Sequence, residues 1–71
     1  MPSITIELFS GRTLDQKRRL VAAVTDAVVQ TLEVKPDIVR IRLVEMERHQ
    51  LARAGILYTD REGAGKHSTG P

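Results

Sequence analysis

The chain has 71 residues, no cysteine, and a formal net charge of +2 from eleven Lys and Arg against nine Asp and Glu. This composition excludes a disulfide scaffold, and because His49 and His67 lie far apart in sequence we predict neither a metal site nor a cofactor. The basic residues are interleaved with acidic ones, and only Phe9 and Tyr58 could stack on bases, which argues against nucleic-acid binding. No apolar run approaches the about 18 residues of a membrane span and no signal peptide is evident, so we expect a cytoplasmic protein without membrane contact.

The first element in chain order is a predicted strand from Ser3 to Phe9, in which apolar and polar residues alternate. Pro2 stands directly before it. A proline is tolerated at the start of a strand because its missing N–H is not needed there. If Met1 is removed, however, Pro2 carries a free secondary amine, so a structural and a chemical interpretation both remain open at this point.

A helix is predicted to begin after Thr13, because Thr13 and Gln16 have the spacing of a capping box. Pro36 should end this helix by Lys35, since the residue before a proline is disfavoured in the α region. Its apolar residues recur at helical spacing and form one stripe that can cover a sheet: Leu20, Val21, Val24, Ala27, Val28 and Leu32.

A second strand is predicted from Val39 to about Met46. Strand, helix and strand form a βαβ unit of the α/β class, whose crossover makes the two strands parallel. Two strands and one helix are not a stable sheet, so we predict that the unit is completed by copies of itself or by a sister chain. Arg40 and Arg42 share one face of this strand, where they could be solvated or could pair across an interface.

The segment from Glu47 to Tyr58 is predicted to form a short hairpin around Gly55 or a strand that reaches onto a neighbour. The remaining residues, beginning with Asp60, include no large apolar side chain. We therefore predict a domain over residues 2–59 and a flexible or partner-contacting tail over residues 60–71.

Common catalytic motifs are missing from the sequence. It contains no cysteine, no Gly-x-Ser-x-Gly element and no phosphate-binding glycine loop. What remains is the amine of Pro2 and the arginines. A buried amine beside arginines has a lowered pKa and can act as a general base, while the same arginines can bind a carboxylate and stabilise an enolate.

Three features together resemble the 4-oxalocrotonate tautomerase family of the tautomerase superfamily: Pro2, "GRTLDQKRRLV" at the start of the helix, and "VRIRLVEM" as the second strand. The similarity covers residues 2–46, with a weaker continuation to residue 56. It implies the tautomerase fold, in which the βαβ unit is followed by a C-terminal hairpin. It also implies a hexamer, either a trimer of dimers of one chain or its equivalent from two kinds of chain.

The resemblance also implies roles for individual residues. Pro2 matches the catalytic general base, and Arg40 matches a catalytic arginine that another subunit supplies to the 2-oxo and 1-carboxylate end of the substrate. Arg12 matches the arginine that binds the distal carboxylate, and Phe9 stands where a backbone N–H contacts the substrate. Leu51 replaces the family's aromatic pocket wall, and Arg53 could add a third cation.

The resulting prediction is an isomerase of aromatic catabolism, a tautomerase for 2-hydroxymuconate or 4-oxalocrotonate and similar unsaturated 2-oxo acids. A first alternative is a dehalogenase or hydratase of the same superfamily, in which a protonated Pro2 donates a proton and a carboxylate activates water. Two further alternatives are a supporting subunit of a hetero-hexamer and a plain binding module.

Overall fold

A computed structural model of the chain describes the backbone of residues 1–65 and the side chains of residues 1–61. Within residues 1–65, six regular elements follow one another: strand β1 (Ser3–Phe9), helix α1 (Leu14–Leu32), strand β2 (Arg40–Met46), strands β3 (Ala52–Arg53) and β4 (Ile56–Leu57), and helix α2 (Tyr58–Gly65). Short 3₁₀ turns at Pro36–Ile38 and Arg48–Gln50 precede and follow β2.

Strands β1 and β2 pair in parallel, in a register that runs from Ser3 opposite Arg40 to Phe9 opposite Met46. The connection between them is α1, so the predicted βαβ unit is confirmed. The second strand begins at Arg40, one residue later than predicted, because the preceding 3₁₀ turn ends at Ile38 and Val39 closes it with an N–H to the carbonyl of Pro36 at 3.1 Å.

The two faces of the parallel pair differ. Helix α1 covers one face, where the Lys17 ammonium pairs with the Glu45 carboxylate. The apolar side chains of this face are half-buried: Ile4, Ile6, Leu8, Ile41 and Leu43. The other face, called the open face below, carries five exposed side chains in its first part: Ser3, Thr5, Glu7, Arg40 and Arg42.

Helix α1 begins where the sequence predicted. The Thr13 hydroxyl accepts the Gln16 N–H at 3.0 Å, and the Gln16 side chain accepts the Thr13 N–H at 2.9 Å. The helix ends at Leu32, before the predicted limit, because Glu33 adopts a left-handed conformation with φ of 57°. Of the predicted apolar stripe, Ala27 and Leu32 are exposed and the other residues are half-buried.

No residue of the described chain is fully buried. Large apolar side chains instead remain exposed, with Leu14 at 62%, Leu32 at 57% and Ile56 at 46%. Domains of this size bury only about 60% of the surface of their unfolded chain even when compact. A protomer without a buried core therefore depends on other chains for much of its stability.

The C-terminal part contains the predicted hairpin, with β3 and β4 antiparallel. Its two loop residues, Ala54 and Gly55, have φ of 56° and 79°, the positive values that a tight type I′ hairpin turn requires. Helix α2 follows and was not predicted, because its eight residues include two glycines and lack an apolar period.

Residues 66–71 of the predicted tail lie outside the described residues, and the domain boundary stays a prediction. Within residues 1–65, the helices are too short or too polar to cross a membrane.

Candidate active site

Pro2 lies immediately before β1 and is half-buried. Its carbonyl accepts the N–H of Arg40 at 3.1 Å, which fixes the first residues of the chain to the beginning of β2. The adjoining Met1 is 72% exposed. The chain therefore holds Pro2 in place through its carbonyl and leaves the side chain of Met1 accessible at the surface.

Arg40 is the neighbour of Pro2 through this hydrogen bond, but its side chain belongs to the open face. Arg40 pairs with Ser3 in the sheet, whereas Pro2 continues the alternating series of Ile4 and Ile6 on the face that α1 covers. One chain thus brings Pro2 and Arg40 to the same end of the sheet, on opposite faces. Arg42 lies two residues further along the open face, as the sequence predicted.

Phe9 and Arg12 lie at the other end of β1. Phe9 is the last residue of the strand, and the chain turns into α1 at Gly11, whose φ of 116° suits glycine and strains other residues. The exposed Arg12 lines a groove of about 210 Å³ together with Leu8, Gln16, Lys17 and Leu20. Arg12 and Lys17 give this groove two cations, one of which Glu45 neutralises.

Pro2 and Arg12 cannot act on one small substrate from the same chain. An extended strand rises by about 3.3 Å per residue, so the seven steps from Pro2 to Phe9 span about 23 Å. That separation exceeds the length of a six-carbon acid several times over. A site that uses both residues must therefore take them from different chains.

Leu51 follows the 3₁₀ turn Arg48–Gln50 and is half-buried. A capping box formed by Glu47 and Gln50 shapes this turn, with the Gln50 side chain accepting the Glu47 N–H at 2.8 Å. The Leu51 carbonyl accepts the N–H of Tyr58 at 2.9 Å. Because the Tyr58 ring also contacts the ring of Phe9, the last residue of β1, this bond places Leu51 near the carboxyl end of that strand and away from Pro2.

Aromatic and cationic side chains alternate at this same end. The Arg48 guanidinium lies 4.4 Å from the centre of the Phe9 ring, and the Phe9 and Tyr58 rings are 5.4 Å apart at an interplanar angle of 55°. The Arg61 guanidinium lies 5.9 Å from the Tyr58 ring and also donates to the Arg53 carbonyl at 3.3 Å. We call Arg48, Phe9, Tyr58 and Arg61 the cation–aromatic stack.

The sequence does not predict the stack, because Phe9, Arg48 and Tyr58 are far apart along the chain. The sequence signals available were local ones, such as the Glu47–Gln50 spacing that positions Arg48. The stack fixes the last residue of β1 against the C-terminal hairpin. It thereby sets the position of the Phe9 backbone, which the resemblance links to the substrate.

Two carboxylates near the site, those of Glu45 and Glu47, already have partners. Glu45 pairs with Lys17, and Glu47 accepts from the Ser10 hydroxyl at 2.9 Å. Among the described residues there is also no group of three His, Asp or Glu side chains that could hold a metal ion. If Met1 is removed, the chemistry that these residues offer is that of the Pro2 amine and several arginines.

Known proteins with similar sequences and folds indicate the family to which this small βαβ unit belongs. The family model described as tautomerase enzyme matches residues 2–61. The 2-hydroxymuconate tautomerase of Bacillus subtilis is 37% identical over 62 residues, covering 87% of this chain and all of that protein. A solved 4-oxalocrotonate tautomerase isozyme of Methylibium petroleiphilum is 45% identical, with a TM-score of 0.87 over 90% of this chain and all of its own.

A hetero-hexameric 4-oxalocrotonate tautomerase from Chloroflexus aurantiacus has the same fold, with 25% identity and a TM-score of 0.79 over 84% of this chain and 97% of its own. The class that fold and sequence define is thus that of small tautomerases. The chain belongs to the tautomerase superfamily and, within it, to the 4-oxalocrotonate tautomerase family. Membership of this family supports an isomerase activity and an oligomeric state for this chain.

Proposed function

We propose that the protein is an enol–keto tautomerase for 2-hydroxymuconate, 4-oxalocrotonate and similar unsaturated 2-oxo dicarboxylic acids, with Pro2 as general base. The observation that carries the proposal is the position of Pro2, which lies immediately before the first strand and accepts the Arg40 N–H at its carbonyl. The similarity to the Bacillus subtilis 2-hydroxymuconate tautomerase supports the substrate class. A cytoplasmic location and a role in aromatic catabolism agree with this proposal and stay predictions.

The proposed base is the secondary amine that Pro2 carries once Met1 has been removed. An amine accepts a proton only in its neutral form, and nearby cations disfavour the protonated form. In the reaction, the amine takes the proton of the 2-hydroxyl group while the electrons of that O–H bond form the 2-oxo group. The conjugated double bonds of the substrate then shift, and a distant carbon takes the proton from the protonated Pro2. This step regenerates the neutral amine.

The arginines bind and polarise the substrate in this proposal. Arg40 contacts the 2-oxo and 1-carboxylate end and stabilises negative charge on that oxygen as it develops. Arg12 binds the distal carboxylate, for which a guanidinium offers two parallel hydrogen bonds. The Phe9 N–H adds a third contact, and Leu51 excludes water from the apolar part of the pocket.

The proposed site is assembled from several chains. Pro2 and Phe9, the end of the strand from which the chain continues to Arg12, lie about 23 Å apart at about 3.3 Å per residue, and Arg40 and Pro2 lie on opposite sheet faces. A hexamer, either of one chain or with a sister chain, would bring such residues together. The Chloroflexus aurantiacus hetero-hexamer, a relative in fold, supports this kind of assembly.

The dehalogenase or hydratase alternative has less support. It requires a carboxylate that activates water, and the nearby carboxylates of Glu45 and Glu47 are held by Lys17 and Ser10. A supporting subunit would keep its arginines in use but leave its own Pro2 idle.

The decisive experiment replaces the proposed base. In Pro2→Ala, ketonisation of 2-hydroxymuconate, followed by ultraviolet absorbance, should slow by about 10²-fold or more, the usual contribution of a general base. Arg18→Ala, at an exposed position of α1, is the control and should leave turnover unchanged. Intact masses of both variants and of the parent chain should show that Met1 is absent.

Unchanged turnover in Pro2→Ala would remove the proposed base. Retention of Met1 in the active protein would do the same, since the nitrogen of Pro2 would then be an amide. Activity that appears only after a second kind of chain is added would identify the chain as a supporting subunit.

A further inference from the structure

The groove that Arg12 lines has a carboxylate at its border as well as two cations. Glu45 is level with Leu8 in the register of β1 and β2, and Leu8 lines the groove. Glu45 therefore borders the groove from β2. The Lys17 ammonium, which also lines the groove, pairs with the Glu45 carboxylate. An anion of the protein thus lies next to the place proposed for a carboxylate of the substrate.

The pair of Lys17 and Glu45 is partly shielded from solvent. Its two side chains are 27% and 35% exposed. The half-buried Leu8 and Leu20 supply the apolar part of the groove. Charges at such a partly buried position are screened less than charges on an open surface. Loss of either charge of the pair should therefore change the electrostatic potential inside the groove.

Arg12 is not held by a carboxylate of its own chain. The ion pairs among the described side chains are Lys17 with Glu45 and Asp15 with Arg19. Arg12 takes part in neither, and it is exposed. An unpaired carboxylate at the border of the groove would attract the Arg12 guanidinium and repel an anionic ligand. With Lys17 and Glu45 paired, the groove presents the positive charge of Arg12 to a ligand.

We propose that Lys17 is a positioning residue that sets the affinity of the groove for anions. It binds Glu45 and keeps this carboxylate from pairing with Arg12, so that Arg12 is left to bind a carboxylate of the substrate. The distal-carboxylate role of Arg12 comes from the proposed function, on which this inference rests. The affinity of the groove for a dicarboxylate then follows the net charge of Arg12, Lys17 and Glu45 together.

Removal of the Lys17 charge is the first test, with binding of cis,cis-muconate measured by isothermal titration calorimetry. This dicarboxylate has six carbons and no 2-hydroxyl group, so it binds without turnover. Lys17→Met leaves Glu45 without its cation, and Kd should rise about 5-fold, the upper range for a partly exposed ion pair. Lys17→Arg keeps the cation and should keep the parent Kd. In turnover of 2-hydroxymuconate, Lys17→Met should raise KM and leave kcat near the parent value.

Removal of the carboxylate should have the opposite effect. Glu45→Gln frees the Lys17 ammonium, so the groove presents two cations and Kd for muconate should fall about 5-fold below the parent value. The double variant Lys17→Met/Glu45→Gln again presents the charge of Arg12 and should return to the parent Kd. A pair that serves folding only would not tighten binding in Glu45→Gln. This variant also keeps the inference falsifiable if Lys17→Met fails to fold.

The exposed ion pair of the same helix supplies matched controls. Arg19→Met and Asp15→Asn make the same charge changes as Lys17→Met and Glu45→Gln, at side chains that are 72% exposed and do not line the groove. Exposed charges are largely screened by salt, so both controls should keep the parent Kd. Their result separates the charge of the groove from the net charge of the whole chain.

Two results would overturn this role of Lys17 alone. One is a parent Kd in Lys17→Met, and the other is a double variant that binds as weakly as Lys17→Met, because Lys17 would then contact the ligand itself. Arg12→Ala should weaken muconate binding. If it does not, or if the parent chain does not bind muconate, the distal-carboxylate site of the proposed function is wrong and the role of Lys17 is wrong with it. Binding needs no working base, so the Pro2→Ala experiment is decided separately.

Discussion

The two ends of strand β1 are built differently, although the proposed site uses both. At the amino end, Pro2 is tied to β2 by one hydrogen bond, from the Arg40 N–H at 3.1 Å. At the carboxyl end, Ser10 bonds to both the Met46 carbonyl and the Glu47 side chain, each at 2.9 Å. The cation–aromatic stack adds further contacts there.

This difference matches a division of work between the ends. The lightly held amino end carries the proposed reactive group, and the well-supported carboxyl end carries the groups proposed to bind the distal carboxylate. Catalytic geometry has to be held closely, and a small misplacement can reduce the rate strongly. We infer that the precise position of Pro2 is set by a neighbouring chain, whereas that of Phe9 is set within its own chain.

The largest expected effect comes from combining one defect at each end. Pro2→Ala and Arg12→Ala chains should each be poorly active alone and regain activity when refolded together. A mixed complex contains sites that take Pro2 from the Arg12→Ala chain and Arg12 from the Pro2→Ala chain. Turnover of 2-hydroxymuconate by the mixture is the measurement.

The matched control for this mixture combines Pro2→Ala with the double variant Pro2→Ala/Arg12→Ala, in which no chain supplies Pro2. That combination should stay inactive. If the first mixture is no more active than its better component, then Pro2 and Arg12 act from one chain. In that case the separation between Pro2 and Phe9, about 23 Å at about 3.3 Å per residue, does not apply to the working enzyme.

A smaller effect should separate the two arginines by kinetic constant. Arg40→Ala removes charge stabilisation near the reacting oxygen and should lower kcat by about 10²-fold. Arg12→Ala removes a charge-assisted contact to the distal carboxylate and should raise KM by about 10-fold to 100-fold, with kcat less affected. Arg18→Ala, on the exposed side of α1, should change neither. Equal, small effects of the first two substitutions would reject the site.

The smallest effect concerns the support of the carboxyl end. Tyr58→Leu keeps an apolar side chain but removes the ring that lies 5.4 Å from Phe9. We expect it to lower the free energy of unfolding by about 1 kcal/mol, the usual value of an aromatic pair. Tyr58→Phe keeps the ring and should stay close to the parent chain.

Urea unfolding at one fixed protein concentration measures the effect of Tyr58→Leu, because assembly contributes to stability. A Tyr58→Leu variant as stable as Tyr58→Phe would show that the stack contributes little. The well-supported carboxyl end would then depend on the Ser10 hydrogen bonds instead.

Much of the fold could be predicted because its signals are local. Alternation from Ser3 to Phe9, the capping box at Thr13, and the proline at position 36 act within a few residues of the structure that they specify. Helix α2 could not be predicted in this way, since it has no apolar period and begins where the Tyr58 N–H meets the Leu51 carbonyl. Its formation depends on a contact across the hairpin.

For the candidate site, the resemblance to the 4-oxalocrotonate tautomerase family suggests roles for Pro2, Phe9, Arg12, Arg40 and Leu51, because its motifs are visible in the linear sequence, and these roles stay predictions. Their division between two ends and two faces of the sheet became visible only with the register of β1 and β2. Register is the alignment of two strands held together by hydrogen bonds, and the sequence of either strand alone does not specify it. For this reason the geometric support for a site shared between chains comes from the folded unit, whereas the sequence suggests such a site only through the family resemblance.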